Sequence, residues 1–173
     1  MDSLTTYLNK FGKKLLIRLK RLQGTPYSIA TGFACGVAVS FTPFIGFHMI
    51  LAALTAWLMR GNIIASAIGT IVGNPWTFPF IWLAVFYTGH FFLGDENYTA
   101  NVDFLNTFKA AGDALYNMDW YKFGHDVWPI IYPMMIGCIP FYIAFWLISY
   151  KIMRKTMDKI AARKQKRLEE TKN

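Results

Sequence analysis

Six polar side chains stand beside helix-breaking residues in chain that is otherwise strongly apolar. Thr42 and His48 flank a first break marked by Pro43 and Gly46. Asn74 and Thr77 fall inside a second, "GNPWTFP", marked by Gly73, Pro75 and Pro79. Arg60 and Asn62 lie between the two. A helix that restarts after a break offers unbonded N–H groups and the positive end of its dipole, which together favour an anion. Broken helices of this kind build the substrate sites of many secondary transporters. The six residues are therefore the candidate ligand-binding set.

Each also has a plainer role open to it. Asn74 can cap the following helix or close a turn with Pro75. His48 can hydrogen-bond a nearby carbonyl. Arg60 can anchor the chain at the membrane surface, since a cation at the bilayer centre costs at least about 2.5–3.5 kcal/mol. His90, near Gly89 and Gly94, is expected at the interface. The Gly32/Gly36 and Gly69/Gly73 spacings suit close helix packing.

No Asp or Glu falls inside the apolar runs. Cation-coupled transporters commonly place a carboxylate there, and acid–base or metal-assisted chemistry also calls for one. No phosphate-binding glycine loop, nucleophile–histidine pairing or metal-ligand spacing is present, so the expectation is a protein that is not an enzyme, with no metal and no cofactor. Cys35 and Cys138 both fall in apolar runs and are expected as free thiols behaving as small hydrophobes.

The elements that must hold these residues follow from charge patterning. Hydrophobic residues make up 54% of the 173 and charged ones 16%, against about 25% charged in soluble domains. Tyr27–Met59, Gly61–Gly94 and Val127–Tyr150 contain no Asp, Glu, Lys or Arg. Such stretches read as membrane-embedded. A single helix over 27–59 would be about 50 Å long, against a hydrocarbon core of about 30 Å. Pro43 and Gly46 divide it into helices near 27–41 and 46–59. The second run divides likewise into 62–72 and 80–93. "FTPFI" (41–45) and "TFPFI" (77–81) echo each other, and the two breaks are expected to face one another, because open backbone in lipid must be covered by protein or water.

Around this 27–150 membrane domain, residues 1–26 form a basic amphipathic segment. Leu4, Tyr7, Leu8, Phe11, Leu15, Leu19 and Leu22 share one face over 3–23, a pattern suited to the membrane surface or to a protein partner. Residues 95–126 form an acidic loop, in which Phe104, Leu105, Phe108, Ala111 and Leu115 suit a short helix. Trp120, Tyr121, Phe123 and Trp128 resemble an interfacial aromatic belt. The last span, 127–150, carries Pro129, Pro133 and Pro140 as expected kinks and leads into a basic tail, 151–173. The net charge of +8 gathers at the two ends of the chain, while 95–126 is acidic. That asymmetry predicts cytoplasmic termini and an outside loop. It also argues against nucleic acid, for which no motif is found.

The segments "IATGFACGVAVSFTPFIGFH", "RGNIIASAIGTIVGNPWTFPF" and "YTGHFFLG" resemble the bacterial membrane family known as domain of unknown function 2062. The matching positions are Pro43, Gly46, His48, Arg60, Asn62, Asn74, Pro75 and Pro79. The resemblance implies a bacterial inner membrane and, through the glycosyltransferase domains joined to some members, a link to envelope polysaccharide or lipid-linked sugars.

The expectation is thus an all-α, polytopic inner-membrane protein with two broken, re-entrant-like hairpins and one further transmembrane helix. Its expected partners are anionic membrane lipids, bound or translocated at the paired breaks. The alternative is a non-catalytic scaffold for envelope glycosyltransferases or other envelope proteins, or a homo-oligomer. An integral-membrane enzyme ranks third.

Overall fold

The computed structural model describes residues 12, 14, 17–19, 21–44, 46–94, 106, 109, 112–114 and 116–172. The fold is all-helical, 82% of it in helix, with no strand among the described residues. The principal helices are α1 (Pro26–Val39), α2 (His48–Leu58), α3 (Ile63–Gly69, extended by a 3-10 turn over Thr70–Val72), α4 (Phe78–Leu93) and α5 (Trp128–Lys172). A short turn over Trp120–Lys122 and a π-helical turn over Phe123–Val127 precede α5.

Helix α1 starts where the sequence supplies its start signals. Thr25 is the N-cap, its side-chain oxygen accepting from the Ser28 N–H at 3.1 Å, and Pro26 opens the first turn, where its missing N–H is no loss. It ends at Val39, and the Ser40 hydroxyl donates back to the Gly36 carbonyl at 3.0 Å. Pro43 and Gly46 then part α1 from α2. Gly46 has φ 82°, with open space where a Cβ would stand, so the backbone conformation rather than crowding calls for glycine there.

The described residues fall into two compact units. The first comprises Met1–Ser40, Gly46–Val72 and Phe145–Asn173; the second comprises Phe41–Ile45 and Gly73–Ala144. In the first, α1, α2 and α3 pack on one another. Gly32 and Gly36 allow this: a Cβ on Gly32 would run into the backbone of Asn62, and one on Gly36 would meet the Ser66 carbonyl and lie 2.9 Å from Gly69 Cα. Small residues let helix backbones meet and gain van der Waals contact where no hydrophobic drive separates protein from lipid. Leu19, Ile29, Ala30, Ala65, Met153 and Met157 form a core at one end of this unit.

In the second unit α4 crosses α5 by the same device. A Cβ on Gly137 would meet the Val85 carbonyl and stand 2.6 Å from the Gly89 nitrogen, and one on Gly89 would meet Pro133. Phe41 stacks on Phe141 with ring centroids 5.9 Å apart.

Helix α5 is long and apolar enough to cross a membrane, and only 17% of its most apolar window is buried, unlike the core helix of a soluble protein. The remaining apolar helices are shorter. At 14 and 16 residues, α1 and α4 reach about 21 and 24 Å, less than the hydrocarbon core. The breaks therefore cut both early runs into pieces too short to cross singly. α5 runs beyond the expected 127–150 span, continuing without interruption through the basic tail to Lys172. Pro129 lies at its second position, directly after the π-helical turn, and Pro133 and Pro140 are accommodated inside it. Of the expected helix over 3–23, Leu4, Tyr7, Leu8, Phe11 and Leu15 lie outside the described residues, as do Phe104, Leu105, Phe108, Ala111 and Leu115 of the loop.

Candidate functional site

The second break is a closed hydrogen-bonded turn. Asn74 Oδ1 accepts from the N–H groups of Trp76 at 3.0 Å and Thr77 at 3.1 Å. Thr77 Oγ1 in return accepts from the Asn74 N–H at 3.0 Å. The Asn74 carbonyl accepts from the N–H groups of Thr77 and Phe78. The reciprocal exchange resembles a capping box, but it closes the turn just ahead of α4, whose own N-cap is Thr77 and whose first-turn proline is Pro79. Each backbone N–H from Asn74 to Phe78 is satisfied within the turn, so these particular donors are not the unbonded groups on which an anion site at a helix start depends. α4 then ends at Gly94, whose φ of 71° and bond to the Phe91 carbonyl make a left-handed cap.

Asn62 is equally committed. Its Oδ1 accepts from the Ala65 N–H at 2.9 Å, capping α3, and its Nδ2 donates to the Gln23 carbonyl at 3.0 Å. Its backbone N–H donates to the Ser28 carbonyl at 2.8 Å and its carbonyl accepts from Ser66. One residue thus ties the start of α1 to the start of α3.

Arg60 closes α2 in a left-handed conformation, φ 55°. The Gly61 N–H reaches the Ala56 carbonyl at 2.7 Å and the Arg60 N–H the Trp57 carbonyl at 3.0 Å, the bond pair of a Schellman motif with arginine where glycine is usual. Gly61 cannot change places with it freely, because a Cβ there would stand 2.7 Å from the Gly32 nitrogen. The exposed Arg60 guanidinium also complements the negative end of the α2 dipole. Beside it, the Tyr27 hydroxyl donates to the Met59 carbonyl at 3.4 Å, and Tyr27 meets Tyr150 edge-on at 6.2 Å. Tyrosines and an arginine at one level suit a membrane interface.

His48 is the first residue of α2 and half-buried, with Nδ1 turned away from solvent. Thr42 is half-buried in the first break. Of the six candidates, His48, Arg60 and Asn62 belong to the first compact unit and Thr42, Asn74 and Thr77 to the second. His90 is buried rather than interfacial, its ring centroid 4.5 Å from that of Phe86. Its neighbour Gly89 is the crossing point with α5, which explains the burial.

Sequence reasoning missed two groupings. Cys35, a free thiol as expected, lies 3.7 Å from Met59 Sδ. Neither sulfur belongs to a local motif, and 24 residues separate them in the chain. The second group is a stripe on α5 made of Ile160, Arg163, Lys164 and Arg167. Its i, i+3, i+4, i+7 spacing was present in the sequence but hidden within a uniformly basic tail. No cluster of three or more His, Cys, Asp or Glu side chains suited to a metal occurs among the described residues.

The family model described as "Uncharacterized protein conserved in bacteria (DUF2062)" matches residues 9–166. The chain belongs to this family. The match takes in both breaks, the Arg60–Asn62 junction and all of the α5 stripe but Arg167. No curated protein and no solved structure matches the chain.

Proposed function

We propose that this member of the family is a multi-pass protein of the bacterial inner membrane, with cytoplasmic termini, that holds an anionic lipid or lipid-linked phosphate for movement or presentation. The observation that carries the membrane reading is the outward display of large apolar side chains along charge-free helices: Trp57 is 66% exposed, Phe80 75% and Phe91 80%. Contiguous apolar surface on this scale is a liability in water and ordinary in lipid. The anionic preference is supported by the basic segments at both ends of the chain.

Native mass spectrometry of the protein in mild detergent tests this. Retention of phosphatidylglycerol over phosphatidylcholine is the expected outcome. Equal loss of both would leave the scaffold reading, which the closed Asn74–Thr77 turn favours: a break whose N–H groups at Asn74, Trp76, Thr77 and Phe78 are used within the turn is suited to packing.

A further inference from the structure

We infer that the anionic lipid is gripped by the α5 stripe and the groove beside it, rather than by the helix breaks. This rests on the reading of the protein as an anionic-lipid binder. Within the first compact unit, a groove of about 130 Å³ runs between the chain entering α1 and the distal part of α5, with Leu22, Ile29, Met157 and Ile160 among its apolar lining and Lys164 at its edge. It shares Ile160 and Lys164 with a second hollow of about 270 Å³, to which Arg163 and Arg167 contribute. Along one face of α5 the chemistry therefore changes from apolar (Met153, Met157, Ile160) to cationic (Arg163, Lys164, Arg167) with no change of direction.

The charge on that face is uncompensated among the described residues. Arg154 is paired with Asp158 at 3.0 Å and Lys166 with Glu170 at 3.9 Å, while Arg163, Lys164 and Arg167 have no carboxylate partner there. Three cations on adjacent turns suit a phosphate, and arginine adds forked hydrogen bonding to it. The depth fits as well. Lys164 lines the same groove as Pro26 and Ile29, where the charge-free run of α1 begins, so the cations stand at the edge of the apolar layer. A lipid presents its parts in the same order, chain toward the apolar floor and phosphate toward the cations. A free phosphate would have no use for the floor.

The test compares full-length wild type with two triple variants by native mass spectrometry, titrating phosphatidylglycerol, phosphatidylcholine and inorganic phosphate. One variant is Arg163→Gln/Lys164→Gln/Arg167→Gln. The other, Lys155→Gln/Lys159→Gln/Lys166→Gln, removes the same charge from a flank of α5 about 100° around the helix. All six residues are exposed. The expected result is at least a tenfold loss of phosphatidylglycerol binding in the first variant and less than a threefold loss in the second, with phosphatidylcholine unaffected. Equal losses in both variants would mean net charge alone, and no loss in the first would place the lipid elsewhere; either overturns the groove and leaves lipid binding standing. Displacement of phosphatidylglycerol by equimolar inorganic phosphate would overturn the lipid as occupant. Failure of wild type to prefer phosphatidylglycerol would overturn the underlying reading itself.

Discussion

Asn74 and Thr77 cap each other: the Asn74 N–H donates to Thr77 Oγ1 at 3.0 Å, and Asn74 Oδ1 accepts from the Thr77 N–H at 3.1 Å. Asn74→Ala removes the side-chain half of this exchange and should cost about 1 kcal/mol, in the usual range for an N-cap. Asn74→Asp keeps the acceptor and should recover most of the thermal stability. If the Asn74 amide also contacts a ligand, Asp will restore melting temperature without restoring lipid retention. Parallel recovery of both would assign Asn74 to the cap alone.

The helix crossings make a stronger claim on stability. A Cβ on Gly137 would meet backbone of α4, which cannot rotate aside as a side chain can. Gly137→Ala should destabilise by about 1–3 kcal/mol through overpacking. Gly36→Ala should do the same in the first unit, where the contact is again backbone. Gly46→Ala offers a contrast, since its site is open and only the positive φ resists; the cost there should stay at about 1–2 kcal/mol. Thermal melts in one detergent would rank the three, and a Gly46 variant worse than Gly137 would contradict the packing account.

These glycines also show what a sequence carries and what it withholds. Pro43/Gly46 and Gly73/Pro75 announced both breaks, because start and stop signals act through residues a few positions apart. The expected 27–41 became Pro26–Val39 and the expected 80–93 became Phe78–Leu93. The Gly32/Gly36 spacing was legible as a packing face for the same reason. Gly137 was not, since its partner Gly89 lies 48 positions earlier on another helix and no local pattern links them. The role of Asn74 stayed open for a different cause: Asn-Pro suits both a ligand site and a capped turn, and only hydrogen-bond geometry separates them. The continuity of α5 past 150 was obscured by the change there from apolar to basic residues, which ends a membrane span without ending a helix.

Arg60 allows charge and backbone to be separated. A non-glycine residue in the left-handed region costs roughly 1–2 kcal/mol. Arg60→Gly removes the strain together with the cation, whereas Arg60→Ala removes the cation and keeps the strain. The glycine variant should therefore melt higher than the alanine variant, and about level with wild type or above it. A cellular phenotype shared by both variants would come from the lost guanidinium, since their stabilities move apart. A phenotype confined to Arg60→Ala would trace to folding.

Membrane topology is the prediction with the widest reach. If the 95–126 loop and the tail lie on opposite sides, α5 must separate them, as its 45 residues and charge-free first half allow. At 1.5 Å per residue it extends about 68 Å, more than twice the hydrocarbon thickness. Lys109→Cys and Lys166→Cys place a thiol on either side, at exposed helical positions. The native pair gives a usable blank, because Cys35 is fully buried and Cys138 partly so. In intact spheroplasts a membrane-impermeant maleimide should label Lys109→Cys and leave Lys166→Cys unmodified until the cells are lysed. The basic tail supplies the physical reason: nine Lys and Arg from 151 onward oppose translocation, while the loop carries mainly acids. Labelling of both positions in intact spheroplasts, or of neither, would place them on one side and remove α5 as the crossing helix. The tail that carries Lys164 would then lose its cytoplasmic placement, although the chemistry of the groove would be unchanged.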